Sequence, residues 1–396
     1  MRYILWLTFL AAMLIRWPEI ARPLWTDEVI SINTLTVRLS QNPLFQGITT
    51  NLPLYFWLLS AVNWLSHLQN VKMLRLLGII INLLTGWLIF RHLAKEANKP
   101  VSIIFLLIFL FAPLQIHYSA ELRPYALSQL WCALYFICVQ SFSNQKRQLI
   151  PINLIAIAGL FTHYSFYLFF GATIIYLLIA QKKLLPVWKL AGIPAIFALF
   201  LIGAYFTNPL FNASLTGLKL KRETAPLGRL MQFSSLSRVK EVVTNYYYYG
   251  LYYYRQDPWA QTVIKKILLI VLGLGSWSIL STHKTKFRSP GLAALAILLL
   301  ALGIALIGEK VGYYPFGGRH IMPFSFLLYI VAAYGLVRLW AGGRWGRAVS
   351  GVMLLLILSS FITFQVCGQL FNHRYTGTND PQGDIYGYCL GNFMIR

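Results

Sequence analysis

Two adjacent carboxylates, Asp27 and Glu28, stand in the stretch Leu24-Trp25-Thr26-Asp27-Glu28-Val29-Ile30-Ser31, in surroundings that are otherwise apolar or basic. An acid beside a membrane surface is costly unless paired or hydrated, so this pair is a candidate for proton transfer. Taken in isolation, Thr-Asp-Glu reads first as a cap, with Thr26 or Asp27 capping a helix that runs from Glu28, and one residue can do both. A second cluster is His117-Tyr118-Ser119-Ala120-Glu121-Leu122-Arg123-Pro124-Tyr125. Pro124 suits the first turn of a helix, which confines Glu121 and Arg123 to a tight turn. There they either meet a polar substrate or neutralise each other as an internal pair. Gly317-Gly318-Arg319-His320 places a guanidinium where backbone can approach closely, as a phosphate clamp or as an arginine that merely snorkels. Thr162-His163-Tyr164 adds an imidazole, either reactive or a structural hydrogen-bonder.

Acids that accept a proton and arginines that hold a phosphate fit one reaction well. In glycosyl transfer from a polyprenyl-phosphate sugar, an acceptor hydroxyl attacks the anomeric carbon and one carboxylate takes its proton. The departing lipid phosphate is already a good leaving group and needs cationic stabilisation more than an acid. A hydrolase would use two facing carboxylates, and adjacent residues do not define such a pair.

The elements that must position these groups follow from composition. Of 396 residues, 58% are hydrophobic and only 11% charged. A soluble domain has roughly 25% charged residues, so this chain lacks the polar surface to coat a water-soluble globule. It reads as an all-α polytopic membrane protein. Candidate spans are 3–17, 73–90, 101–116, 124–139, 149–161, 166–180, 190–206, 263–280, 291–307, 321–337 and 348–366, about eleven helices of near-spanning length. A net charge of +23 would suggest nucleic acid in a soluble protein. Here the basic residues serve first as topology signals, and no nucleic-acid partner is expected.

Whether the apolar stretch 53–65 spans decides every later orientation. If it stays at the outer surface, Arg2, Arg91/Lys95/Lys99, Lys146/Arg147, Lys182/Lys183/Lys189, Lys284/Lys286/Arg288 and Arg338/Arg344/Arg347 all fall on one side. By the positive-inside rule that side is cytoplasmic. Glu96 is then the single cytoplasmic acid, and 53–65 is an interfacial helix. The first span is read as an uncleaved anchor, since its short apolar stretch runs into Arg16, Trp17 and Pro18 instead of a small-residue cleavage site. Residues 1–366 form the transmembrane catalytic domain, with outer loops at 18–72 and 207–262 and an extracytoplasmic tail at 367–396. The long loop carries a tyrosine run from Tyr246 to Tyr254. Cys132 and Cys138 lie in an apolar run as buried thiols. Cys367 and Cys389 could pair only in an oxidising compartment.

The order of motifs resembles the GT-C glycosyltransferases. Trp25-Thr26-Asp27-Glu28 is followed by Asn51-Leu52-Pro53-Leu54-Tyr55 opening an apolar helix, then by Arg75, Glu121-Leu122-Arg123-Pro124-Tyr125 and Thr162-His163-Tyr164. Arg319-His320 is a further, weaker match. The closest branch is the one that includes protein O-mannosyltransferases and the aminoarabinose transferases of lipid A. The resemblance implies Asp27 as the catalytic carboxylate, with Glu28 beside it positioning donor or acceptor, and juxtamembrane helices in the first outer loop. It implies that Arg75 lies near the donor phosphate, and that Glu121, Arg123, Tyr125, His163, Arg319 and His320 belong to the substrate region. Relatives place a second acid where Glu121 stands, some with an Asp-containing turn instead of Glu-Leu-Arg-Pro-Tyr. No metal and no cofactor are implied, since this branch generally uses none and no compact Asp/His cluster argues for one.

The expected activity is therefore inverting transfer of a sugar from a polyprenyl-phosphate donor to a lipid, glycan or protein acceptor. The site would face the extracytoplasmic side of a bacterial inner or plasma membrane. The alternative is a flippase or transporter of lipid-linked sugar without catalysis. A transporter would place ionisable or helix-breaking residues near the midplane of several spans, whereas these acids collect at loop ends.

Overall fold

The computed structural model describes residues 2–21, 24, 28, 31–32, 53–66, 71–142, 146–181, 184–207, 258–282, 289–311 and 321–370. Asp27, Arg319 and His320 lie outside the described residues, as do the tyrosine run, most of the 207–262 loop and residues 371–396. All regular structure among the described residues is helical. In chain order the helices are α1 (Arg2–Ala21), α2 (Pro53–Ser66), α3 (Val71–Glu96), α4 (Lys99–Phe111), α5 (Pro113–Ser119), α6 (Tyr125–Gln140) and α7 (Lys146–Leu160). Then come α8 (Ser165–Gln181), α9 (Leu184–Thr207), α10 (Pro258–Thr282), α11 (Pro290–Val311), α12 (Phe326–Trp340) and α13 (Gly343–Leu370). A short 3₁₀ turn, Met322–Phe324, leads into α12.

Helices occupy every predicted span, but two differ from expectation. The stretch expected as one span over 101–116 is broken: α4 and α5 meet at a 55° bend. Pro113 supplies the cause, because it lacks an N–H and crowds the residue before it out of the α region. Ala112 is accordingly extended, at φ −60° and ψ 128°, and Pro113 starts the new helix at its first turn. The first span, expected to end at Trp17, instead runs through Pro18 to Ala21. Among the described helices, α3 has by itself the length and apolar composition of a full span, the bent α4–α5 pair has them together, and α6 to α12 contribute shorter apolar stretches.

α12 is the central pillar, packed against α4, α10, α11 and α13 and buried from Phe326 to Leu336. Its contact with α10 is backbone to backbone. A Cβ on Gly335 would overlap the Val271 carbonyl oxygen, and one on Gly275 would overlap that of Val331. Small residues at helix crossings permit this approach in apolar surroundings, where dispersion contacts do much of the holding. Gly335→Ala is therefore expected to force α10 and α12 apart, at a cost of about 1–3 kcal/mol. A Tm measured in detergent should fall for this variant, while Gly303→Ala, with open space around its Cβ, should leave it unchanged.

The break at Ala112 lies beside a buried polar network. Arg16 is wholly buried. Its Nη1 donates to the carbonyls of Ala12 and Leu110, each at 2.8 Å. Its Nη2 donates to Asn82 Oδ1 at 3.1 Å, and its Nε to Ser119 Oγ at 3.3 Å. The Asn82 amide donates in turn to Gln115 and Gln129 at 2.7 and 2.8 Å. Those glutamines donate to Ser325 Oγ at 2.7 Å and to the Met322 carbonyl at 2.8 Å. α1, α3, α4, α5, α6 and the entry to α12 are thus tied together through side chains.

Candidate functional site

One end of the bundle gathers the end of α1, the start of α3, the α5–α6 turn and the α7–α8 turn. α2 is pinned there by the Leu54 N–H, which donates to the Phe161 carbonyl at the end of α7 (3.2 Å). Its Tyr55, Phe56 and Leu59 pack with Leu74, Leu114, Tyr118, Leu122, Tyr125 and Met322, with Leu24 and Ile32 at the margin. This apolar floor is met by the chain on either side of Glu28, at Leu24 and Ile32.

Glu28 and Arg75 form the central ionic contact. Arg75 Nη2 donates to Glu28 Oε2 at 2.6 Å and Nε donates to Oε1 at 3.1 Å, a fork-on-fork pair. Arg75 Nη1 donates to the Ile20 carbonyl at 3.0 Å, and the Leu122 N–H donates to Glu28 Oε1 at 3.0 Å. Both side chains are at most 1% exposed. A carboxylate and a guanidinium withdrawn from water this far are stable only with such saturated partners. Through these four bonds the residue beside Asp27 is held to α1, α3 and the α5–α6 turn together.

The turn itself is tight. Ala120 N–H bonds to His117 O at 3.3 Å and Arg123 N–H to Glu121 O at 2.7 Å. It approaches α3 only because residue 78 is glycine, since a Cβ there would overlap the Ser119 carbonyl oxygen. Glu121 and Arg123 are both buried, at 1% and 8% exposure. Tyr55 lies close enough to sense them and Glu28. Burial pushes its hydroxyl well above the usual phenol range; Glu28 and Glu121 reinforce the shift and Arg123 opposes it.

An aromatic row continues from the turn. Tyr118 and Tyr125 meet edge to face at 5.5 Å, Tyr125 and His163 at 5.1 Å, and His163 lies 4.1 Å from Tyr164. His163 Nδ1 accepts the Ser165 N–H at 3.1 Å, at the start of α8. An Nδ1 used as an acceptor leaves the ring proton of a neutral imidazole on Nε2. On the far side of the turn, His117 Nδ1 stands 3.4 Å from Glu19 Oε2. Six of the residues singled out by sequence, Glu28, Arg75, Glu121, Arg123, Tyr125 and His163, therefore converge on one end of the fold.

Tyr55, Tyr118 and His117 appear in the sequence motifs without an assigned role, while sequence reasoning misses Glu19 in this cluster and Arg16 beneath it. The signal for Arg16 is a lone cation in an apolar helix, which the expected boundary of the first span conceals.

No protein-family model matches the chain, and a search of curated proteins gave no match. Among solved structures, the chain is similar to ArnT from Cupriavidus metallidurans in the apo state. The likeness has a TM-score of 0.53 at 12% sequence identity, and covers 93% of this chain and 75% of that one. Among the described residues, what this chain shares with that structure is a helical fold.

Proposed function

We propose that this protein is an integral membrane glycosyltransferase of the GT-C type. It takes a sugar from a polyprenyl-phosphate donor and inverts the anomeric configuration. The observation that carries the reading is the anchoring of Glu28: a buried bidentate bond to Arg75 and a backbone bond from Leu122 fix the carboxylate next to Asp27. Such anchoring suits a neighbour that must hold a reacting geometry. The fold shared with ArnT, a lipid A aminoarabinose transferase, supports the same class.

In this mechanism the acceptor hydroxyl oxygen attacks the anomeric carbon, and the carbon–oxygen bond to phosphate breaks. The hydroxyl proton passes to the Asp27 carboxylate, and polyprenyl phosphate leaves with both bonding electrons. Glu28 positions the segment. Arg123, Arg319 and His320 are assigned to the donor phosphate, and Glu121, Tyr125 and His163 to the substrate region. No metal is required, so chelation should leave turnover intact. Purified protein incubated with a panel of radiolabelled polyprenyl-phosphate sugars and membrane extract should label one extract component. Exchange of donor across liposomes without labelled product would instead favour the lipid-linked-sugar transporter.

The site faces the extracytoplasmic side, with about eleven spans and the 53–65 helix lying in the interface. Single cysteines near residues 68 and 220, in a background without native cysteines, should react with an impermeant outer reagent, and one near residue 145 should not. Protection at 68 with labelling at 145 would mean that 53–65 spans, and the whole outer-face site would have to be redrawn.

A further inference from the structure

We propose that Arg16 is a positioning residue that, by closing the break between α4 and α5, sets the turn that holds the catalytic segment. This rests on the assignment of Asp27 and Glu28 above. A helix interrupted in apolar surroundings must have its freed carbonyls met by other groups. The Leu110 carbonyl belongs to the last turn of α4, where intrahelical donors run out. Arg16 Nη1 donates to it at 2.8 Å, and the positive guanidinium also sits at the negative end of the α4 dipole. The same side chain reaches across the break to Ser119 Oγ, in the last turn of α5. One cation therefore holds both halves of the broken element.

The turn after α5 carries this bracing to the site. Ser119 opens the tight turn through Arg123, and Leu122 in that turn donates its N–H to Glu28 Oε1. Gly78 lets α3 press directly against the Ser119 carbonyl, so a shift of α5 moves the turn against a helix that has no room to give. Asn82 relays the restraint: it accepts from Arg16 and donates to Gln115 on α5 and Gln129 on α6, the helices on either side of the turn. Arg16 touches neither Glu28 nor Arg75 in any of these bonds. Its influence is through the backbone it sets.

Arg16→Gln removes the charge and the multiple donors yet keeps a polar chain. Hydrogen–deuterium exchange of the purified protein reads the consequence without reference to activity. Amides in 113–125 and 24–32 should exchange at least about tenfold faster, through local opening, while those of α8 and α11 stay unchanged. Donor turnover should show kcat falling about tenfold or more with KM within about twofold, and Arg16→Lys should recover part of the loss. Unchanged exchange in 113–125, or an equal rise along the whole chain, would overturn the proposal. Should Arg16→Gln fail to purify, Ser119→Ala, which deletes one Arg16 partner, must show the same local pattern at smaller amplitude. Absence of it would be equally fatal. If the wild-type protein transfers no sugar, the functional assignment fails, and the exchange data still decide whether Arg16 sets the turn.

Discussion

Asp27→Asn should abolish transfer, lowering kcat by about 10²–10⁴-fold, the usual contribution of a positioned general base. The amide keeps the shape of the carboxylate and can still accept a capping hydrogen bond from a helix N-terminus. It cannot take the proton of the attacking hydroxyl. Folding and expression should therefore stay at wild-type level while turnover disappears, which separates the two roles open to Asp27. Steady-state kinetics and a Tm on the same preparation check it. A variant with near-normal kcat would make Asp27 a helix cap, and the base would have to be sought at Glu121.

The second large effect concerns Arg75. Sequence reasoning places its guanidinium near a lipid phosphate; the structure turns Nε and Nη2 to Glu28 and Nη1 to Ile20. We accordingly assign it the task of holding Glu28. Lysine offers a point charge and cannot reproduce two parallel bonds to the carboxylate with a third to Ile20. Arg75→Lys should lower kcat at least about tenfold, equivalent to about 1.4 kcal/mol of transition-state stabilisation. Glu28→Gln leaves a buried guanidinium without its counter-charge, and should cost about 3–5 kcal/mol of stability. The double variant Glu28→Leu/Arg75→Met removes both charges, so its Tm should exceed that of Glu28→Gln while its turnover stays low. Such a pattern in the cycle is specific to a pair whose value lies in geometry. Unchanged kcat in Arg75→Lys would mean that the pair positions nothing the reaction needs.

How much of this is legible in the sequence depends on the range of the interaction involved. The helices are legible because lipid-like hydropathy is written residue by residue, and their bounds move only by a turn or so at most places. Pro113 is visible too, but the apolar run continues through it and hides the bend at Ala112 inside one expected span. A cation inside an apolar helix is expensive, so sequence alone puts Arg16 at a flank. Its cost is met by Leu110, Asn82 and Ser119, partners 94, 66 and 103 residues away in the chain. The pairing of Glu28 with Arg75 spans 47 residues. Local spacing marks Glu28 as a candidate and the family resemblance marks Arg75, but only the packing of α1, α3 and the α5–α6 turn brings them into contact. The exposed faces are more predictable. Tyr3, Trp6, Leu10, Leu14 and Trp17 on α1, and Trp345, Val349, Val352 and Leu356 on α13, repeat at helical spacing and point outward.

The most direct test is to follow the phosphorus of a polyprenyl-phosphate sugar in liposomes holding the purified protein with a supplied acceptor extract. Transfer breaks the sugar–phosphate bond, so ³¹P NMR should show the diester signal converting to a monoester in step with sugar appearing on acceptor with inverted anomeric configuration. The Asp27→Asn protein should leave the diester intact. Movement of unbroken donor between leaflets with no monoester formed, by wild type and Asp27→Asn alike, would contradict the account and make the protein a carrier of lipid-linked sugar.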